Sequence, residues 1–360
     1  MKKTVSGALF GAFLILLALG LALYPKESAG AASEAIALCV NVIVPSLFPF
    51  FVVSSMTVKL CSPGSGYLPK NLSVPPGAAA FLLGLMGGYP VGARTVAACY
   101  LRGDIQKDEA ERLLAFCNNS GPAFILGVLG PEVFGSTKAG MLLLIVHAFC
   151  AVLLGLLFGK RARLKPAPVN REEEGLISGL VSSVSSSFSG VIGVSGFIIF
   201  FSVIVRLLKV TGVFPAAAAV LGKTGLGVFW SEKLLTGFLE LFSGVWTLAG
   251  SPGMLSLSLA AFMLGWGGLS VHFQTLSLLS GTGLSPRRYF LGKLLHGCLS
   301  AFLTAVICLA FPAAVPAVSM PGAAASPAAV TLPLFVLSAC FLTLSVLSVK
   351  SAGKGDKKSI

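Results

Sequence analysis

Gly87-Gly88-Tyr89-Pro90-Val91-Gly92-Ala93-Arg94-Thr95 interrupts an apolar stretch that is otherwise long enough to cross a bilayer. Gly267-Gly268-Leu269-Ser270-Val271-His272-Phe273-Gln274-Thr275 does the same in the second half of the chain. Both Gly, the Val and the Thr recur in register, and Gly103 and Gly283 extend it. Gly and Pro interrupting corresponding hydrophobic segments, with polar side chains at membrane depth, point to the binding site of a secondary transporter.

Composition sets the class. Of 360 residues 55% are hydrophobic and only 11% charged, with a mean hydropathy of +0.92. A soluble domain carries about 25% charged residues, so most of this chain avoids water. Lipid offers the backbone no partner, and the apolar runs exceed strand length. The spanning elements are therefore helices. The expected fold is all-α: a polytopic transmembrane helical bundle of about ten spans, with an inverted repeat of broken helices.

The formal charge of +13 does not indicate nucleic acid, because the basic residues cluster at segment ends: Lys2-Lys3, 160–165, Arg287-Arg288 and the tail from Lys350. That is the pattern of cytoplasmic loops, and it puts both termini in the cytoplasm. The eight Cys are scattered singly and form no metal-ligand spacing, so neither a metal nor a cofactor is expected. No nucleotide loop or nucleophile–base spacing appears, and no enzyme is expected.

The expected organisation is an N-terminal signal anchor and loop over 1–32, a first membrane half over 33–159 and a cytoplasmic linker over 160–175. A second membrane half covers 176–349 and a cytoplasmic tail 350–360. Ala29 and Ala31 also offer a weak cleavage pattern for a signal peptide. Asp104 reads as the N-cap of an amphipathic interfacial helix leading into Asn118-Asn119-Ser120-Gly121-Pro122, and the run 123–129 reads as re-entrant. Spans are expected at 213–229 and 233–248, among others.

The candidate substrate-binding residues are Gly88, Tyr89, Pro90, Arg94, Asn118, Asn119, Ser120, Glu240, Ser270, His272 and Gln274. A charge within the bilayer costs about 2.5–3.5 kcal/mol, so Arg94 needs a cavity, a partner or an anionic ligand. A helix restarting after Pro90 directs free N–H groups and a positive dipole end into the break. Ser270, His272 and Gln274 hold the corresponding place. Glu240 is read as a partner for Arg94 or as a proton or cation site. For each, a purely structural role is the alternative: ion pairing, packing or capping.

Several motifs in order resemble the YlbJ-type sporulation integral membrane proteins, part of the wider group with a nucleoside-recognition gate domain. They are Pro45-Ser46-Leu47-Phe48-Pro49-Phe50, Gly88 to Arg94, Phe116 to Ile125, Gly237-Phe238-Leu239-Glu240 and Gly267 to Gln274. The family commonly has Lys where this chain has Arg94, which keeps the charge. The resemblance implies transport of a small anion during spore formation, with dipicolinic acid, a planar aromatic dicarboxylate, as the expected solute. A nucleoside-type gate transporter and a non-transporting membrane scaffold are the alternatives. Membrane lipid and other sporulation membrane proteins are the implied partners, in the cell membrane or a forespore membrane.

Overall fold

The computed structural model describes residues 2–61, 75–158, 175–251 and 253–311. Among these every regular element is a helix. The first half has α1 (Lys2–Leu23), α2 (Pro25–Leu38), α3 (Val44–Cys61), α4 (Pro76–Gly87), α5 (Val91–Leu101), α6 (Lys107–Cys117), α7 (Pro122–Phe124) and α8 (Thr137–Phe158). The second has α9 (Leu176–Val210), α10 (Val213–Leu221), α11 (Val228–Leu239), α12 (Leu241–Trp246), α13 (Met254–Trp266), α14 (Gly268–Leu279) and α15 (Arg287–Ala310). Proline opens α2, α4 and α7, where its missing N–H costs nothing. A widened turn over Cys39–Ile43 joins α2 to α3 just before Pro45, and another over Ile125–Val133 holds Pro131. Such turns absorb the hydrogen bonds a proline cannot donate.

Among the described residues six helices are long and apolar enough to cross a membrane, or seven if one pair bent by 115° counts as a single span. The expected ten is compatible with this, since the run at 331–349 lies outside the described residues, as do the linker 160–174 and the tail. The bent pair is α10 with the turn after it against α11, hinged at Gly225 (φ +101°) and Gly227 (φ +78°). The spans expected at 213–229 and 233–248 are thus short helices that turn back, with a further break at Glu240. Apolar side chains such as Ile145, Phe149, Ile177, Val181, Phe302 and Leu309 face outward, as lipid contact requires.

The repeat is visible in the backbone. Gly88 and Gly268 have φ of +76° and +75°; Gly103 and Gly283 have +79° and +74°. α4–α5–α6 and α13–α14–α15 therefore follow one plan. Asp108 and Arg288 hold equivalent positions, 180 residues apart, and pair with each other at 2.6 Å. A contact between equivalent residues is what a two-fold relation produces on its axis.

The expected cap at Asp104 does not form. α6 starts at Lys107 after Gln106, and the Asp104 carboxylate binds Arg102 Nε at 2.9 Å instead. α6 is also no interfacial helix: its apolar face is buried against α15, α8 and α5. The α15 seams are backbone to backbone. A Cβ on Gly265 would lie 2.6 Å from Gly297 Cα, and one on Gly292 would collide with the Ala115 carbonyl. Small residues let helices approach this closely, and in lipid such packing replaces the hydrophobic drive between helices.

Candidate functional site

The two breaks meet in the interior. Pro90 reaches α5 through a cis Tyr89–Pro90 peptide, and Tyr89 reaches across to donate from its hydroxyl to the Leu264 carbonyl at 2.7 Å. Gly88 packs against Gly121, where the Asn118–Gly121 segment passes the first break. Gly267 lies against the Tyr89 ring. Four chain interruptions are thereby drawn together: 88–90, 118–121, 240 and 267.

Lys293 of α15 occupies this junction. It is fully buried, with Nζ donating to Tyr89 Oη at 2.6 Å and to the Asn118 carbonyl at 2.7 Å. The ammonium also stands 4.7 Å from the Tyr89 ring centre. Both acceptors are neutral, and among the described residues no carboxylate forms an ion pair with it. A lysine Nζ has three N–H donors, so one remains to be satisfied.

A directional chain adjoins it. Asn118 Nδ2 donates to Thr275 Oγ1 (3.1 Å), Thr275 Oγ1 donates to Tyr289 Oη (3.1 Å), and Tyr289 pairs with His272 Nδ1 (2.8 Å). Tyr289 accepts from Thr275, and of its hydrogen-bond partners among the described residues only Nδ1 is left to accept its own hydrogen. His272 must then carry its hydrogen on Nε2, which is buried without a partner. Trp266 and Phe290 flank the imidazole edge-on at 4.2 and 5.0 Å. Both polar atoms of the Gln274 amide and Asn119 Oδ1 are likewise buried and unpartnered. Asn119 Nδ2 donates to the Phe116 carbonyl, and the Ser120 N–H donates to His147 Nε2 at 3.1 Å.

Glu240 ends α11 and caps α12. Its carboxylate accepts from Phe242 N at 3.1 Å and Ser243 N at 2.5 Å, and Ser270 Oγ donates to it at 3.3 Å. This is a helix N-cap, in which an anion meets the positive end of the dipole. Arg94 is engaged elsewhere, with Nη1 donating to the Ser186 carbonyl at 3.4 Å. Among the described residues no ion pair joins it to Glu240.

Arg94 lines a cavity of about 160 Å³ between α3 and α5. Phe51, Ser55 and Lys59 line it from successive turns of α3; Val91, Arg94, Thr95, Ala98 and Arg102 line it from α5 and its end. Among the described residues three of the eight that line it are basic and none is acidic, with Arg102 held by Asp104 just outside. Gly190 of α9 lies against the guanidinium, where an added Cβ would be in ordinary contact with Nη1 at 3.5 Å. The candidate residues thus separate. Tyr89, Asn118 and His272 belong to the packed junction, with Ser270 and Glu240 on one flank; Gln274 is buried on α14 without a hydrogen-bond partner, and Arg94 opens onto the basic cavity.

Lys293, Tyr289, His147 and His296 are not among the residues expected from the sequence. A signal existed: Tyr289, Lys293, His296, Ser300 and Thr304 recur at spacings of three and four, which is one face of a helix. All five are fully buried.

No family model and no solved structure matches the chain. It is 28% identical over 333 residues to the sporulation integral membrane protein YlbJ of Bacillus subtilis (strain 168), covering 82% of this chain and 81% of the relative. Together with its apolar helices, that similarity over four fifths of both chains supports placing this integral membrane protein in the YlbJ-type family.

Proposed function

We propose that the protein carries a small anionic aromatic solute across a membrane during sporulation, with dipicolinic acid the expected solute and Arg94 its first charged contact. The observation that carries this reading is the cavity between α3 and α5, lined by Lys59, Arg94 and Arg102, of which Arg102 is already bound to Asp104, and by no acid among the described residues. Arginine's planar fork matches a carboxylate bidentately. The volume suits a single ring: an engineered cavity of about 150 Å³ accepts benzene. Phe51 and Val91 supply apolar walls for it. Deeper in, the Nε2–H of His272 and the Gln274 amide supply polar contacts once the packed helices part. The sporulation setting comes from the B. subtilis relative's name.

The test is uptake of radiolabelled dipicolinate into proteoliposomes, wild type beside Arg94→Ala, with insertion checked by size exclusion. Saturable uptake, reduced at least tenfold in the variant, supports the assignment. Equal uptake by both removes Arg94 from the path. Uptake by neither, in protein that is folded, favours a nucleoside solute or the scaffold role.

A further inference from the structure

The interior holds a second arrangement that solute binding leaves unused. His147 of α8 and His296 of α15 stack with ring centres 4.3 Å apart, nearly parallel and both buried. Their neighbours fix their tautomers. His147 Nε2 accepts from the Ser120 N–H, so its hydrogen sits on Nδ1. His296 Nε2 lies 3.1 Å from the His147 carbonyl and can only donate there, which leaves His296 Nδ1 a bare acceptor. Both Nδ1 atoms are buried without a partner. His147 cannot take a second proton without losing the Ser120 bond. His296 can.

His296 is also placed on a track. Along one face of α15, Lys293 precedes it by a turn, and Ser300 and Thr304 follow at successive turns. Thr304 Oγ1 is buried without a partner, and Ser300 Oγ has only the weak Cys150 thiol beside it. Residues a turn apart have Cβ atoms about 5–6 Å apart, a gap that one water closes between side-chain oxygens. The opposite face of α15 presents Leu291, Leu294, Leu295 and Phe302 outward. An apolar helix that hides its polar atoms from lipid and leaves them unpaired marks an ion or proton pathway.

The geometry points to a proton route along α15, running from Thr304 through Ser300 to His296 Nδ1 and on to Lys293, which couples solute movement to a proton gradient. It rests on the transport reading above. A proton arriving at Nδ1 makes His296 an imidazolium with both nitrogens protonated; once the Lys293 ammonium has released its unbonded third proton toward the break, the resulting amine takes a proton from this imidazolium and His296 returns to the neutral ring. Lys293 bonds Tyr89 and the Asn118 segment directly, so its protonation acts on the first break and on the interruption beside it at once. The other titratable side chains on the elements packed here are Tyr289, Cys298 and Cys308 of α15, Lys138 and Cys150 of α8, Cys117 and the charged first turns of α6, Tyr89 between α4 and α5, and His272 of α14. α13 carries none. The acids of α6 lie at its far end, where Arg288 binds Asp108 and the Ser285 N–H binds Glu111.

The test compares two modes in proteoliposomes, with dipicolinate as the probe. Exchange of labelled for unlabelled solute needs no net proton movement, whereas net uptake driven by an imposed pH gradient does. For His296→Gln we expect exchange within twofold of wild type and no stimulation by the gradient. The milder pair Ser300→Ala with Thr304→Val, which leaves the rings in place, is expected to lower that stimulation severalfold, and it decides the matter if His296→Gln fails to fold. Gradient stimulation retained in both variants overturns the route, as does wild-type exchange without any response to the gradient. Absence of exchange in folded wild type removes the transport reading itself, and this route with it.

Discussion

α6 and α15 occupy equivalent places in the two repeats and share their opening turn, yet they diverge completely after it. α6 stops at Cys117 and gives way to Asn118-Asn119-Ser120-Gly121, whereas α15 runs unbroken from Arg287 to Ala310. The first repeat puts its cation early, at Arg94 beside a cavity; its counterpart in the second is the neutral Gln274. The second puts its cation at Lys293, opposite the apolar Leu113 of the first. The repeat therefore supplies a scaffold with two breaks, and the departures from it supply the chemistry. Neutral acceptors come from one half, Tyr89 and Asn118, and the buried cation from the other. A symmetric pair would have brought together either two cations or none.

The largest effect expected is structural. Gly265→Val would force α13 off α15 at a backbone contact, which exceeds the usual 1–3 kcal/mol of overpacking. Loss of a monodisperse peak in size exclusion is the expected outcome, and survival of that peak would show that this seam is loose. Next comes charge placement. Losing a charge-assisted contact of about 1.5–3 kcal/mol should lower dipicolinate uptake by Arg94→Ala roughly 10–150-fold. Adding Gln274→Arg to an Arg94→Gln background should not restore it, because position 274 is buried on α14 and does not line the cavity. Restored uptake would mean that the two repeats are functionally interchangeable.

Lys293→Met is expected to move the midpoint of thermal unfolding by only a few degrees. Burying the ammonium costs about 2.5–3.5 kcal/mol on insertion scales, and its two hydrogen bonds return a similar amount. A fall of more than about 10 °C, worth several kcal/mol at a chain of this size, would make Lys293 a structural cation. The smallest effect belongs to Glu34→Ala. Its bond to Arg206 at 2.8 Å is exposed, with 71% of the Glu34 side chain in the open, and such pairs contribute below about 1 kcal/mol. A midpoint unchanged by more than a few degrees is expected, with raised salt having no further effect.

What the sequence disclosed and concealed follows from range. The breaks at Gly88 and Gly267 are local events, written as Gly-Gly turns in apolar runs, and Arg94 is conspicuous for the same reason. Lys293 is hidden because it lies close to Arg287-Arg288, where a lysine reads as an interface anchor with its amine stretched toward water. Only the packing of α6 over α15 shows that water is not within reach. His147 and His296 each look like an isolated packing residue within a span, and nothing local pairs them. Asp104 failed as a cap because the helix starts three residues later, at Lys107, and leaves its carboxylate to Arg102. Glu240 was visible as a charge in an apolar run, but its role as a cap depends on the helix break beneath it.

The bonds of Lys293 reach 204 residues back to Tyr89 and 175 back to Asn118. At ribosomal rates of about 5–20 residues per second, the first partner waits roughly 10–40 s in the bilayer before the lysine is made. During that interval the Asn118 carbonyl has no ammonium to receive, and the growing protein offers quality-control proteases an unfinished polar patch. Biogenesis is thus an assembly of two fragments that happen to share one polypeptide. A chain severed between residues 158 and 175 should regain its shape only when both pieces are synthesised into the same membrane.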